Sequence, residues 1–171
     1  MSGPNQHPAA ASAEQLIADC DVRRLRRSGP GGQHRNKVET AISLHHLPTG
    51  VRAEANERRS QAQNHSVAVF RLRVNLALEV RQACRANQVP SPLWQSRCCG
   101  GVLKLSADHG DFPMLLAEAL DVLVAFGFEP KLAADALRCT SSQLIRLLKL
   151  DSRALALVNG WRRERQMHVL R

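Results

Sequence analysis

The stretch Arg26-Arg27-Ser28-Gly29-Pro30-Gly31-Gly32-Gln33-His34-Arg35-Asn36-Lys37 sets three glycines and one proline at positions 29–32, between two arginines and the pair Arg35 and Lys37. Glycine loses more freedom on folding than any other residue, so three together signal a backbone that must turn with positive φ or approach something closely. The flanking cations make that something anionic. The loop holds no nucleophile with its base, no carboxylate pair and no metal-ligand cluster. What it can offer is backbone N–H groups and the carboxamide of Gln33, which orient water and stabilise a developing oxyanion but cannot shuttle protons unaided. Phosphate cradles fit poorly: there is no Gly-x-x-x-x-Gly-Lys-Ser/Thr, and no Gly-x-Gly-x-x-Gly after an apolar strand. Such a loop needs a partner that supplies the rest of the chemistry.

The elements around it can be read from periodicity. Residues 20–28 alternate weakly and carry Arg23, Arg24, Arg26 and Arg27, an exposed strand. Residues 33–37 suit a single helical turn presenting N–H groups at its start. Val38, Thr40, Ile42 and Leu44 alternate with polar or small residues over 38–46, which predicts a half-buried strand. Leu47-Pro48-Thr49-Gly50 turns the chain into a second strand over 51–55. Ser60 is placed to cap a helix over 61–85 whose apolar residues form a broad face able to lie on a sheet. The expectation is an α+β fold, a compact β-α-β-β-α unit.

These blocks carry a resemblance. Arg-Ser-Gly-Pro-Gly-Gly-Gln-His-Arg-Asn-Lys, followed by His46-Leu47-Pro48-Thr49-Gly50-Val51 and by Arg59-Ser60-Gln61 with Asn64, resembles the Gly-Gly-Gln domain of class I peptide chain release factors and related ribosome-rescue hydrolases. The resemblance implies a peptidyl-tRNA hydrolase acting with the ribosome. Gly31 and Gly32 would let the loop enter the peptidyl-transferase centre. Gln33 would sit against the peptide–tRNA ester, its N–H stabilising the intermediate and its side chain positioning water. The resemblance also implies N-methylation of Gln33 by a glutamine methyltransferase. Arg26, Arg27, Arg35, Asn36, Lys37, Arg59, Ser60 and Gln61 would contact or steady RNA. At position 35 the family has a small apolar residue, where this chain has Arg35.

Charge supports a polyanionic partner. Of the net +9, residues 20–90 hold 13 Lys/Arg against 5 Asp/Glu, whereas residues 1–19 hold no cation and two acids, and residues 91–171 hold 11 against 8. The excess sits with the glycine loop. Five cysteines, an odd number without Cys-x-x-Cys spacing, read as buried thiols in a reducing compartment, not as a disulfide framework or a zinc site. His34, His45 and His46 read as surface residues. No cofactor or metal is expected, no membrane span, and the expected protein is a cytoplasmic monomer.

The remaining chain reads as a disordered lead-in over 1–12, the Gly-Gly-Gln domain over 13–86 with a short helix at 13–18, a linker over 87–110 and an all-α helical bundle over 111–171. Asp111, Pro130, Thr140 and Asp151 mark four helix starts, with Thr140-Ser141-Ser142-Gln143 written as a capping box. Residues 131–137 and 141–149 have the short connection of a helix-turn-helix, open to two readings, a nucleic-acid contact or an antiparallel pair with a charged outside. The codon-reading domain of a full release factor is absent from these 171 residues, as is the Lys/Arg-rich tail of rescue hydrolases. Codon-independent hydrolysis is therefore the expected activity. The alternatives are a non-catalytic ribosome- or RNA-binding protein that keeps the fold, and a helix-turn-helix nucleic-acid-binding regulator.

Overall fold

The computed structural model describes residues 7–25, 40–84 and 89–171. The chain divides into two compact units, Met1–Glu79 and Val80–Arg171. The helical turn expected over 33–37 lies outside the described residues.

The first unit is a three-stranded antiparallel sheet under one long helix. Its strands are β1 (Cys20–Leu25), β2 (Ala41–His46) and β3 (Arg52–Ala55), in the order β1-β2-β3. Ile42, Leu44 and His46 point to one face of β2 and are buried, while Ser43 and His45 between them are half-buried. In register with them, Ala53 and Ala55 of β3 are small enough to let a helix come close. That helix, α2 (Gln61–Glu79), packs on β2 and β3. Asn64, Ala68, Leu72 and Leu76, spaced by four, are all 0 % exposed and form its buried ridge. The helix stops at Glu79, short of the expected 85. The Gln82 N–H, which would have extended the ladder, donates instead to Asp121 Oδ1 at 3.1 Å.

The lead-in is structured from residue 7 onward, contrary to expectation. Pro8–Ala10 form a 3-10 turn with Ala9 fully buried, and Ser12 and Gln15 make a reciprocal capping box on α1 (Ala13–Ala18). Arg73 of α2 donates to the Ala11 carbonyl and ties this segment down. His46, expected at the surface, is 4 % exposed. Its Nδ1 lies 2.7 Å from Thr49 Oγ1, which braces the turn between β2 and β3, and burial lowers its pKa.

In the second unit the expected linker contains structure. Ser91 caps α3 (Pro92–Arg97), whose Trp94 is 0 % exposed. Cys98–Cys99 (β4) and Val102–Leu103 (β5) then pair through Gly100 and Gly101, at φ +58° and +76°. A two-residue turn with both φ positive fits the strand twist and needs glycine. Then come α4 (Phe112–Ala125), α5 (Pro130–Ala136), α6 (Ser141–Lys149) and α7 (Ser152–Glu164). The α+β class with a helical C-terminal region is as read from the sequence.

Two caps differ in detail. Asp111 makes no cap bond, because its carboxylate takes Arg97 at 2.8 and 2.7 Å. Thr140 accepts from the Gln143 N–H, but the Gln143 side chain accepts from Leu103 N at 3.3 Å instead of returning to the cap. The C-terminal segment is also held. Asn159 exchanges two hydrogen bonds with the Leu170 backbone, at 3.0 and 2.7 Å. Arg162, only 7 % exposed, donates Nε to the His168 carbonyl at 2.7 Å and Nη1 to the Phe128 carbonyl.

Candidate functional site

Gly31, Gly32 and Gln33, with Arg26, Arg27, Arg35, Asn36 and Lys37, lie outside the described residues. What the structure gives is the platform that carries them. Leu25, the last residue of β1, pairs directly with Ala41, the first of β2. Both ends of the intervening segment are therefore fixed side by side at one end of the sheet.

The second part of the platform is the turn from β3 into α2. Arg58, Arg59 and Ser60 are exposed and Gln61 half-exposed. Ser60 works as a helix cap: its Oγ accepts from Gln63 N at 3.4 Å and its carbonyl from Asn64 N at 3.0 Å. The turn is clamped on two sides. Arg71 holds the Glu57 carboxylate through both Nη atoms, at 2.6 and 3.1 Å, and reaches the Glu54 carbonyl at 2.8 Å. Desolvation pushes the Glu57 carboxyl up, but backbone hydrogen bonds from Glu57 and Asn56 together with the pairing to Arg71 outweigh it and leave the group below its ordinary range. From the inner side, Asn64 Nδ2 donates to the Arg58 carbonyl at 2.9 Å and to the Thr40 carbonyl at 2.7 Å, while its Oδ1 accepts from Arg58 N at 2.9 Å.

Asn64 thus joins the turn carrying Arg58 and Arg59 to the residue at which the chain re-enters from segment 26–39. Neither arginine has a carboxylate partner among the described residues. Arg58 was not singled out in the sequence, although it adjoins Arg59. Its signal was the charge doublet after a strand.

The described residues contain no group of three His, Cys, Asp or Glu able to hold a metal ion. All five cysteines are free. Burial first, with neighbouring charge second, pushes the Cys20 and Cys139 thiols up to about 11 and raises Cys84 and Cys98, so these four sit as neutral thiols and not as nucleophiles. No described helix is long and apolar enough to cross a membrane.

The helix-turn-helix pair is α5 and α6, joined through Arg138 at φ +53°. The periodicity of residues 141–149 puts Ser141, Ser142, Gln143, Arg146 and Lys149 outward and Leu144, Ile145, Leu147 and Leu148 inward. Leu144, Leu147 and Leu148 are buried and Ser142, Arg146 and Lys149 exposed, whereas Ser141, Gln143 and Ile145 are half-buried. Both cations lie in the last turn, where they also complement the helix dipole.

The described residues form an antiparallel sheet with a long covering helix, and in the sequence Gly-Gly-Gln falls between Leu25 and Ala41, which pair at one end of that sheet. Residues 14–93 match the RF-1 domain. This part of the chain is an RF-1 domain. Among similar proteins, peptide chain release factor 1 of Acidiphilium cryptum is 39% identical over 83 residues, 47% of this chain and 24% of the relative. The chloroplastic peptide chain release factor PrfB1 of Arabidopsis thaliana is 41% identical over 71 residues, 42% of this chain and 15% of the relative. The chain thus spans a quarter or less of these release factors. The matched region contains segment 26–39 and the Arg59–Asn64 block.

Proposed function

We propose that the protein hydrolyses the ester of peptidyl-tRNA on the ribosome without reading a codon. The RF-1 domain over residues 14–93 carries this reading, because it encloses Gly31, Gly32 and Gln33. In it, Gln33 meets the ester carbon's developing oxyanion with its N–H, a contribution of roughly 10²–10³ in rate for one such donor. Its carboxamide positions the attacking water, and the tRNA ribose and ribosomal RNA move the protons. Gly31 and Gly32 keep side chains out of the approach. Arg26, Arg27, Arg35, Asn36, Lys37, Arg59, Ser60 and Gln61 bind or steady RNA, and Gln33 is the residue a glutamine methyltransferase would modify. The protein acts wherever its ribosomes are.

The test uses purified ribosomes loaded with peptidyl-tRNA, with a stop codon in the decoding site and without. Release at equal rates in both is expected. Gln33→Ala should lose release by roughly 10²-fold while still cosedimenting with ribosomes. An unchanged rate in that variant overturns the catalytic assignment, and release that requires the stop codon overturns codon independence.

A further inference from the structure

Asn64 is a polar residue in the otherwise aliphatic ridge Ala68, Leu72 and Leu76, and like them it is 0 % exposed. A leucine at that register would extend the ridge onto the sheet. The amide instead spends both N–H groups and its oxygen on backbone, bonding Thr40 O at 2.7 Å, Arg58 O at 2.9 Å and Arg58 N at 2.9 Å. Thr40 is 24 residues away in sequence and Arg58 six. The two carbonyls therefore share one nitrogen, and neither segment can shift without breaking a bond in a place water does not reach.

Between them these segments carry the two halves of the proposed machinery. Thr40 is the point of re-entry from the Gly-Gly-Gln segment, and Arg58 opens the exposed Arg58-Arg59 pair, which has no acidic partner among the described residues. Arg71 secures the same turn through Glu57 but holds nothing of the loop root. Strand pairing of Ile42 with Ala55 joins the same two regions through backbone; the side-chain bridge between Thr40 and Arg58 is Asn64.

We infer that Asn64 is a positioning residue: it holds the point of chain re-entry at Thr40 in fixed relation to the exposed Arg58–Arg59 turn, so that docking that turn on RNA also fixes the root from which the proposed catalytic segment departs. This rests on the hydrolytic reading above. Binding supplied by the arginines stays available when the coupling is lost, whereas the reacting geometry does not. A misplacement of about 1 Å can cost roughly 10²-fold in rate.

The experiment compares wild type, Gln33→Ala, Asn64→Asp and Asn75→Ala in single-turnover peptide release at saturating protein, well below the melting temperature. Asn64→Asp keeps the shape but turns two donors into a carboxylate that repels both carbonyls. Asn75→Ala is the matched control, since Asn75 on the same helix also donates to a strand carbonyl, Arg52 O at 2.8 Å. Asn64→Asp should lose roughly 10–100-fold in saturating rate with its half-saturating concentration little changed. Asn75→Ala should keep both. Amide exchange in the free protein should quicken at residues 40–42 in Asn64→Asp alone. A role confined to stability would lower the melting temperature and leave the saturating rate untouched. If Asn64→Asp does not fold, Asn64→Ser, whose hydroxyl can meet one carbonyl, is judged by the same criteria. Wild-type release with an undiminished saturating rate in the Asn64 variant overturns this inference and leaves the hydrolytic reading standing. A wild type that releases nothing removes both.

Discussion

Replacing Arg162 by methionine removes a guanidinium that is 7 % exposed and orphans two carbonyls, those of Phe128 and His168, while keeping most of the side-chain volume. Each bond from a charged donor is worth about 1.5–3 kcal/mol. Against the pair stands the desolvation of the guanidinium, several kcal/mol per buried ion, which methionine returns. The orphaned carbonyls then cost about 1–3 kcal/mol each unless water reaches them. The balance is a loss of about 2–4 kcal/mol. Arg162→Lys, a point charge able to meet one carbonyl, should fall between at about 1–2 kcal/mol. Urea unfolding followed by tryptophan emission suits the measurement. Both tryptophans, Trp94 and Trp161, lie in the second unit, and Trp161 packs 5.3 Å from the Phe128 ring. With m of about 2 kcal/mol/M, the methionine variant should shift the midpoint down by about 1–2 M at unchanged m. A midpoint equal to wild type would mean that burying the charge already costs as much as its bonds return, and the argument would be wrong.

Two further outcomes follow from particular groups. Burial raises Asp121 to about 6 from 3.8, against the lowering influence of Gln82 N–H and Arg81, so the folded state holds its proton at a pH where the unfolded chain has lost it. Its contribution to stability is present below about 3.8 and is lost as pH rises through about 6; the stability of wild type relative to Asp121→Asn should therefore decline over that window, and a flat or rising difference would refute the assignment. Arg58→Ala and Arg59→Ala should each lower the dependence of log K for ribosome binding on log salt concentration by about 1, and an unaltered slope would mean that neither touches a phosphate.

The sheet was legible because β2 alternates cleanly, and the hairpin because Leu47-Pro48-Thr49-Gly50 uses turn residues, with Gly50 at φ +75°. Helix starts at Ser60, Pro130, Thr140 and Asp151 followed from capping chemistry. What failed to show depends on contacts distant in sequence. The order at residues 7–12 comes from Arg73, more than sixty residues on, and His46 lies in a strand opposite Cys20 of β1. Segment 87–110 was read as a linker because its Pro and Gly content looks irregular, whereas Gly100 and Gly101 make a tight hairpin. Arg162 is committed to carbonyls and the Arg165 guanidinium stacks 4.3 Å over the Phe128 ring, partners that the sequence does not display. Asn64 could have been noticed as a polar residue at a core register, yet its two partners could not.

Strand β1 forms an outer edge of the sheet among the described residues, with Val22, Arg23 and Arg24 exposed on it. Successive side chains leave a strand on opposite sides: Arg23 pairs with Asp21 at 2.8 Å on one face, and Arg24 puts a cation on the other. An unpaired edge is a template for a neighbouring molecule's strand, and charged side chains along it disfavour a second molecule offering the same edge. The charge on β1 is therefore expected to work against self-association through this edge. Variants that strip charge from it are best checked for aggregation before any change in their RNA affinity is interpreted.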